Sequence, residues 1–219
     1  MARRQSARSP VRINKLPSRT VTRLSLYYQV LSRLDTASYI SSRTLANHLG
    51  VNPSQVRKDL ALFGQFGVPG MGYEVRTLHR AIEAILGIDR PWRVIIVGCG
   101  NLGSALMKYR GFESHRFSIV AGFDTDVHKV GRRIGGVPVF PLSDLHRYVR
   151  EHAVDIAAVT VPGEAARQTI EQVAACGIRG ILNFTPTVVP VTGSTVLKID
   201  LTVEFIRLAC MLANARSAP

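Results

Sequence analysis

The sequence predicts an α/β protein, in which an N-terminal winged helix-turn-helix is followed by a Rossmann-like parallel-sheet domain and a C-terminal helix. Three observations support this fold class. Basic residues concentrate in the first 60 positions, where two short helical patterns meet at Gly50 in the outline of a helix-turn-helix. From Trp92 onward, strand-like and helical runs alternate, as in a parallel sheet with helices on both faces. The glycine pattern GCGNLG, residues 98–103, directly follows the first strand-like run.

The uneven charge indicates a polyanionic partner for the N-terminal end. Eleven Lys or Arg residues against two acids give the first 60 residues a net charge of +9, out of a formal +13 for the chain. A basic end on a nearly balanced body is typical of nucleic-acid binding. For residues 1–15 we expect a basic flexible arm, and a merely solvated tail is the alternative. The sequence shows neither a signal-peptide core nor an apolar run of membrane-spanning length, which favours a cytoplasmic location.

The first two helices are predicted from apolar periodicity and from capping residues. Apolar side chains recur every three or four positions after Pro17, as far as Leu34, which predicts an amphipathic helix. A second helix follows, with Ser41 or Ser42 as its N-cap and Gly50 at its end.

The third helix has several start signals in a row. Asn52 suits the N-cap, Pro53 the first helical position, and Gln55 completes an N-cap/N3 box. Its inward face is predicted from i, i+4, i+7 spacing and consists of Val56, Leu60 and Phe63.

The outward residues of this third helix are the predicted DNA-binding residues: Ser54, Gln55, Arg57 and Lys58. They lie in its N-terminal half, which is the end of a recognition helix that enters the major groove. Their side chains are of types that read base edges or hold phosphates. A solvated helix face is the alternative for Arg57 and Lys58, and the basic N-terminal end shifts the balance toward DNA.

A wing and a fourth helix complete the first domain. Residues 63–75, FGQFGVPGMGYEV, place four glycines among β-formers, which predicts a small exposed hairpin. Residues 76–87 have the apolar spacing of a helix that ends at a glycine. We therefore assign 16–88 to a winged-helix DNA-binding domain, with the boundary in the segment 88–91.

The second domain is predicted from alternating strands and helices. Strands are predicted near residues 94–97, 117–123, 156–161 and 180–184, and helices near 102–109, 143–151 and 164–175. This pattern predicts a parallel sheet with helices on both faces, and together with the glycine pattern discussed next it assigns 92–199 to a Rossmann NAD(H)-binding domain. Residues 200–219 are assigned to a C-terminal dimerisation helix and tail, because the apolar positions of 201–215 need a partner surface.

The glycine pattern predicts a dinucleotide site. Gly98 makes the tight turn, Gly100 lets the backbone approach a pyrophosphate, and Gly103 permits close helix–strand packing. Asp124 ends the next strand, 21 residues after Gly103, where its carboxylate accepts hydrogen bonds from ribose hydroxyls. A carboxylate there repels a 2′-phosphate, so NAD(H) is favoured over NADP(H). A Rossmann fold without a nucleotide is the minority alternative.

The sequence predicts a nucleotide-binding site but no catalytic residues beside it. Cys99, Cys176 and Cys210 have no metal or disulfide spacing and are predicted to be buried packing residues in a reducing compartment. The histidines after residue 91 have no paired acid, and we predict no catalytic residue and no metal site. The alternatives are a small NAD-dependent oxidoreductase with an N-terminal interaction module, and a constitutive DNA-binding protein whose Rossmann half only dimerises.

These motifs together resemble the Rex-type redox-sensing transcriptional repressors, from about Lys15 to Asn214. The matching segments include LYYQVL, SSRTLANHLGV, VRKDLALFGQFG, GMGYEV, VGCGNLGSAL, FDTD, GGVPV, TVP, GIRGILNFTP and KIDLTVEFIRLACML. The resemblance implies a homodimeric repressor that senses the NADH/NAD+ ratio. It would bind a two-fold operator without ligand and release it when NADH binds, with C-terminal helices swapped between subunits.

The resemblance also implies roles for individual residues. Cofactor binding is implied for Gly98, Cys99, Gly100, Asn101, Leu102, Gly103 and Asp124, and, at the nicotinamide half, for Asn183, Phe184, Thr185 and Pro186. Tyr109 and Asp200 match switch and interdomain positions. The family usually has an arginine where this chain has Gln29, so a contact to Asp200 would lack a charge pair. The wing tip has Val68 and Pro69 where a basic residue is common.

Overall fold

The computed structural model describes residues 16–216, so the predicted basic arm, residues 1–15, lies outside the described residues. The chain divides between Arg90 and Pro91 into two compact units, which we describe separately. Within the described part of the chain, no helix combines the length and apolar character needed to span a membrane.

The first unit is a winged helix-turn-helix. Its elements are α1 (Ser18–Leu31), β1 (Tyr39–Ile40), α2 (Ser42–Leu49), α3 (Pro53–Ala61), β2 (Gly67–Val68), β3 (Gly72–Glu74) and α4 (Val75–Leu86). The strands form an antiparallel sheet in the order β1-β3-β2, in which β2 and β3 are the wing. The four helices enclose a core that includes Leu24, Tyr27, Leu45, Val56 and Leu78. Strand β1 was not predicted, and α1 ends before Leu34.

Local capping explains the turn between α2 and α3. Ser41 Oγ accepts a hydrogen bond from the Thr44 N–H at 3.0 Å, which caps α2 at its start. Gly50 ends α2 in the left-handed conformation, with φ of 63°. Asn52 Oδ1 then accepts from the Ser54 N–H at 2.9 Å and starts α3. These caps fix where α3, the second helix of the helix-turn-helix, begins.

The second unit is a Rossmann-like α/β layer. Its elements are β4 (Trp92–Val97), α5 (Asn101–Lys108), β5 (Phe117–Asp124), β6 (Arg133–Ile134), β7 (Val137–Pro141), α6 (Leu145–Glu151), β8 (Ile156–Val159), α7 (Gly163–Ala175), β9 (Gly180–Asn183), β10 (Thr195–Lys198) and α8 (Leu201–Arg216). The strand order is β10-β9-β8-β4-β5-β7-β6, and all neighbours are parallel except β6 and β7. The order reverses at β4, so the carboxyl ends of β4 and β8 form the crevice where such sheets bind nucleotides.

The central strand β4 is buried on both faces. Ile95 and Val97 pack into one apolar cluster, whereas Ile96 packs into the other. Because successive side chains pack into apolar clusters on opposite faces of the sheet, the sequence over residues 94–97 is apolar without a break, as is usual for parallel strands.

The last helix, α8, exposes its apolar side chains. Residues 201–214 are exposed throughout, with Phe205 at 72% and Met211 at 69% relative exposure. A helix with this much uncovered apolar surface needs a partner surface.

Candidate functional site

Two cations project from α3, the helix predicted to read DNA. Arg57 and Lys58 are exposed, on the side opposite the buried Val56 and Leu60. Arg57 Nη1 donates to Ser42 Oγ at 3.1 Å, a contact that orients the guanidinium beside the start of α2. The predicted DNA-binding side chains Arg57 and Lys58 are therefore available on one surface.

Ser54 and Gln55 have local partners. Ser54 Oγ donates to Asn52 Oδ1 at 2.8 Å and retains its acceptor capacity. The Gln55 side chain does not form the predicted N-cap/N3 box, because its Nε2 donates to Asp59 Oδ1 at 2.9 Å.

Asp59 is a buried acid that the sequence analysis missed. It is 2% exposed and pairs with Arg23, whose Nε and Nη2 lie 2.6 and 2.7 Å from the two carboxylate oxygens. The Tyr27 hydroxyl donates to the same carboxylate at 2.8 Å. Burial raises the pKa of Asp59, but the hydrogen bonds from Arg23, Gln55 and Tyr27 outweigh it and leave the pKa below its usual value. The sequence did contain a signal for its burial, because Asp59 lies three positions after Val56 and therefore on the same inward face of α3.

The wing ends in an apolar tip. Its turn is closed by a hydrogen bond from the Met71 N–H to the Val68 carbonyl at 3.1 Å, with Gly70 at φ of 79°. Val68 and Met71 are 43% and 53% exposed. A DNA contact from this tip would be apolar instead of ionic.

The three glycines after β4 differ in their surroundings. Gly98 has φ of 95°, and a Cβ there would lie 2.9 Å from Thr160 and Val161. A Cβ on Gly103 would overlap the carbonyl oxygen of Gly98 and lie 2.9 Å from Thr160 Oγ1. Gly100 has nothing within 4 Å of its Cβ position. The turn is therefore closed on the protein side and open at Gly100.

Thr160, which the sequence analysis did not single out, stabilises this turn. It follows β8, and its Oγ1 donates to the Gly98 carbonyl oxygen at 2.6 Å. Because β8 is the neighbour of β4, this bond spans the crevice at the reversal of strand order. Helix α5 begins beyond it with Gly100 as N-cap and no side-chain cap, which leaves a helix N-terminus suited to an anion. Asn101 and Leu102 are exposed in its first turn.

Asp124 lies beside the glycine turn, at the end of β5. Its Oδ2 accepts from the Cys99 N–H at 2.7 Å, and its Oδ1 accepts from the Asp126 N–H at 2.8 Å. Lys129, also missed by the sequence analysis, contacts the carboxylate at 3.3 Å. The Asp124 side chain is 11% exposed. The carboxylate of Asp124 is thus hydrogen-bonded to the glycine turn and retains a small exposed fraction.

Cys99 is a buried packing residue, as predicted, whereas Cys176 is half-buried and the prediction is wrong for Cys210, which is exposed on α8. Cys99 is 1% exposed, and its Sγ donates weakly to the Phe123 carbonyl at 3.7 Å. Burial, with a smaller effect of the Asp124 charge, raises the pKa of the thiol to about 11. The thiol is therefore protonated at neutral pH and unreactive.

The strand end of β9 forms a braced turn. Asn183 is 1% exposed, its Nδ2 donates to the Thr187 carbonyl at 2.8 Å, and its Oδ1 accepts from the Thr185 N–H at 2.8 Å. Phe184 is half-buried, and Pro186 packs against the first residue of α7. The segment predicted for the nicotinamide half is therefore ordered by its own hydrogen bonds.

The predicted switch residues have nearby partners in sequence. Tyr109 is 61% exposed at the end of α5 and packs edge-to-face on Phe112 at 4.9 Å between centroids. Asp200 pairs with Lys198 at 3.0 Å, and that bond holds the pKa of Asp200 below its usual value. Gln29 is exposed on α1.

In the part of the chain that the structure describes, no group of three or more His, Cys, Asp or Glu side chains is arranged to hold a metal ion.

Comparisons with known proteins match both units. Residues 15–61 match the family described as "Putative DNA-binding protein N-terminus", and residues 89–187 match the "CoA binding domain". The chain is 47% identical to the redox-sensing transcriptional repressor Rex of Desulforamulus reducens, over 78% of this chain and 83% of that protein. It is 41% identical to the repressor of the same name from Syntrophobacter fumaroxidans, over 91% and 97%.

Solved structures give the same relationship. The crystal structure of RSP in complex with β-NAD+ and operator DNA matches with a TM-score of 0.84 and 30% identity, over 92% of this chain and 94% of that one. The structure of RSP in complex with β-NADH matches with a TM-score of 0.83 and 29% identity, over 92% and 96%.

Proposed function

The chain belongs to the Rex family of redox-sensing transcriptional repressors, and we propose that it binds operator DNA as a homodimer and releases the operator when NADH binds. The observation that carries this proposal is a preformed dinucleotide turn in a chain that also presents exposed cations on a recognition helix. RSP, a relative of the same fold, is seen with β-NAD+ and operator DNA together and with β-NADH. The curated relatives are repressors and not enzymes, so the oxidoreductase alternative is not favoured.

The nucleotide site combines the open face of Gly100, the N-terminus of α5 and the Asp124 carboxylate. Backbone N–H groups at a helix N-terminus bind a pyrophosphate, and a carboxylate accepts from ribose hydroxyls. The segment Asn183–Pro186 would receive the nicotinamide half. The cofactor is therefore NADH or NAD+, and the matching coenzyme A domain makes coenzyme A a useful control ligand.

The DNA interface is formed by α3 and its flanking elements. Arg57 and Lys58 supply phosphate and base contacts, and Ser54 and Gln55 supply polar contacts. Because operator DNA is held in the cytoplasm of a bacterial cell, we place the protein there.

The dimer is formed through α8. Its exposed apolar side chains, among them Phe205, Ile206 and Met211, would be covered by a second copy of the chain. In the swapped arrangement, Asp200 of one subunit would meet Gln29 of the other. That contact would be a hydrogen bond without a second charge, and it would hold the domains less firmly than an ion pair.

The test is an operator-binding titration repeated with NADH, NAD+ and coenzyme A. The operator is obtained by selecting bound duplexes from a random pool, and binding is followed by fluorescence anisotropy. NADH should weaken operator binding by roughly 5- to 150-fold, the range of ordinary allosteric couplings, and the operator should weaken NADH binding equally. Tight NADH binding with an unchanged operator isotherm would refute the sensor function.

A double variant separates the two sites. Replacing Arg57 and Lys58 with alanine should abolish operator binding and leave the affinity for NADH unchanged. The matched control replaces Arg147 and Arg150, exposed arginines of α6 in the other unit, and removes the same charge. If both double variants lose operator binding equally, net charge and not α3 determines recognition.

A further inference from the structure

The carboxylate of Asp59 accepts four hydrogen bonds and is saturated by them. Its Oδ2 accepts from Arg23 Nε and the Tyr27 hydroxyl, and its Oδ1 accepts from Arg23 Nη2 and Gln55 Nε2, at 2.6–2.9 Å. Three of these bonds come from two residues of α1, Arg23 and Tyr27, and the fourth comes from Gln55 of α3, the helix that carries Asp59. The carboxylate therefore joins the two helices at a buried point and holds the side chain of Gln55.

The chemistry of the carboxylate decides the orientation of the Gln55 amide. An ionised carboxylate only accepts hydrogen bonds, so the amide nitrogen and not Oε1 must face Asp59. The Arg23 guanidinium keeps Asp59 ionised and cannot turn into an acceptor itself. The amide is thereby prevented from flipping, which an exposed glutamine is otherwise free to do.

One N–H of the Gln55 amide donates to Asp59, whereas its second N–H and Oε1 form no hydrogen bond with the other described residues. Together they are one donor and one acceptor on the N-terminal half of α3, beside Ser54 and Arg57. Adenine presents the complementary pair in the major groove, an N7 acceptor and an N6 donor, and glutamine binds that pair through two hydrogen bonds.

We propose that Arg23 and Asp59 are positioning residues that fix Gln55 as an adenine-reading side chain of the operator interface. The inference rests on the proposed DNA-binding function and goes beyond it, because it assigns an indirect role in base specificity to the buried Asp59 and the partly buried Arg23. A fixed amide loses little rotamer freedom on binding, and it presents its donor and acceptor in one order only.

The test measures discrimination and not affinity alone. The parent protein selects its operator from random duplexes, and each base pair of the half-site is then replaced in turn. Gln55→Ala should lose roughly 5- to 150-fold discrimination at one A·T pair and little elsewhere. Arg23→Lys, which keeps the charge but cannot form the bidentate contact with the Asp59 carboxylate, should lose discrimination at the same base pair. Gln168→Ala, an exposed glutamine of α7 in the other unit, is the matched control.

The network also predicts coupling between its members. Asp59→Asn should reduce discrimination at that pair, and adding it to Gln55→Ala should cause no further loss there, because both changes remove one contact. If Asp59→Asn does not fold by circular dichroism, Tyr27→Phe, which removes one bond from the same carboxylate, takes its place in the cycle.

Two results overturn the inference. In the first, Gln55→Ala keeps the parent discrimination at every pair. In the second, Arg23→Lys weakens all duplexes equally, as a purely structural residue would. A parent protein that selects no duplex at all would instead refute the proposed function.

Discussion

Gly100 and Gly103 belong to the same fingerprint, yet alanine at each should have opposite consequences. At Gly103, a Cβ would overlap the Gly98 carbonyl oxygen and lie 2.9 Å from Thr160 Oγ1. Both neighbours are held, the first by the turn and the second by its 2.6 Å hydrogen bond, so helix α5 must move. Overpacking of this kind costs about 1–3 kcal/mol. At about 2–4 °C per kcal/mol for a chain of this size, Gly103→Ala should melt roughly 2–12 °C below the parent.

At Gly100, a Cβ meets nothing within 4 Å, and the φ of −68° suits alanine. The fold should be stabilised by about 0.4–1 kcal/mol, since the unfolded chain loses freedom. The new methyl group would stand where a pyrophosphate approaches the backbone. Losing one hydrogen bond to a charged group costs about 1.5–3 kcal/mol, which weakens NADH binding by about 10- to 150-fold.

The measurements are thermal melting without ligand and NADH fluorescence titration, applied to both variants and the parent. The expected pattern is a stable Gly100→Ala protein that binds NADH poorly, beside a Gly103→Ala protein that melts early. A Gly100→Ala protein with parent affinity would show that the dinucleotide does not approach this turn. A Gly103→Ala protein with the same melting temperature as the parent would show that α5 can move to accommodate the Cβ without loss of stability.

Four further predictions concern single residues. Asp124→Ala should reduce the preference for NADH over NADPH, because the charge that repels a 2′-phosphate is removed. An unchanged ratio of the two affinities in paired titrations would show that the ribose does not lie beside Asp124. Cys99 should resist iodoacetamide at pH 8 in the native protein and react after denaturation, since its thiol pKa is about 11; fast native labelling in a peptide mass map would contradict this. The native pKa of Asp59 is lowered, so its contribution to the free energy of unfolding is present above the ordinary carboxyl pKa and is lost as pH falls below about 4. Denaturant unfolding of the parent between pH 6 and 3, followed by tyrosine fluorescence, should show that loss of stability. The Asp59→Asn variant should lose less stability over the same pH range. Asp200→Ala should reduce the coupling between NADH and operator more than it reduces either affinity alone, and a variant with parent coupling would remove Asp200 from the switch.

The sequence predicted those parts of the fold that depend on local signals. The caps at Ser41 and Asn52, the helix end at Gly50 and the glycine turn were all readable, because each depends on residues a few positions apart. The strand Val137–Pro141 was missed because it contains two prolines, which argue against a strand.

Contacts between distant segments were not readable. Thr160 bonds Gly98 across 62 positions, and Arg23 bonds Asp59 across 36. The N-cap/N3 box at Gln55 was wrong for the same reason, since a buried carboxylate one turn away, held by another helix, competes for its amide. Periodicity shows which face of a helix is buried, and it does not show which buried groups are paired.

The glycine turn and Asp124 together affect how this protein responds to the concentrations of NADH and NAD+. Both oxidation states of the dinucleotide carry the same adenosine and pyrophosphate, so this half of the site contributes the same free energy to each. A contribution equal for two ligands sets the concentration at which the site fills and leaves their ratio of affinities untouched. Changes at the turn would therefore move the dose–response curves for NADH and NAD+ by one common factor. The overall affinity for the dinucleotide and the ratio of the affinities for NADH and NAD+ are thus separable, and a substitution can change one without changing the other.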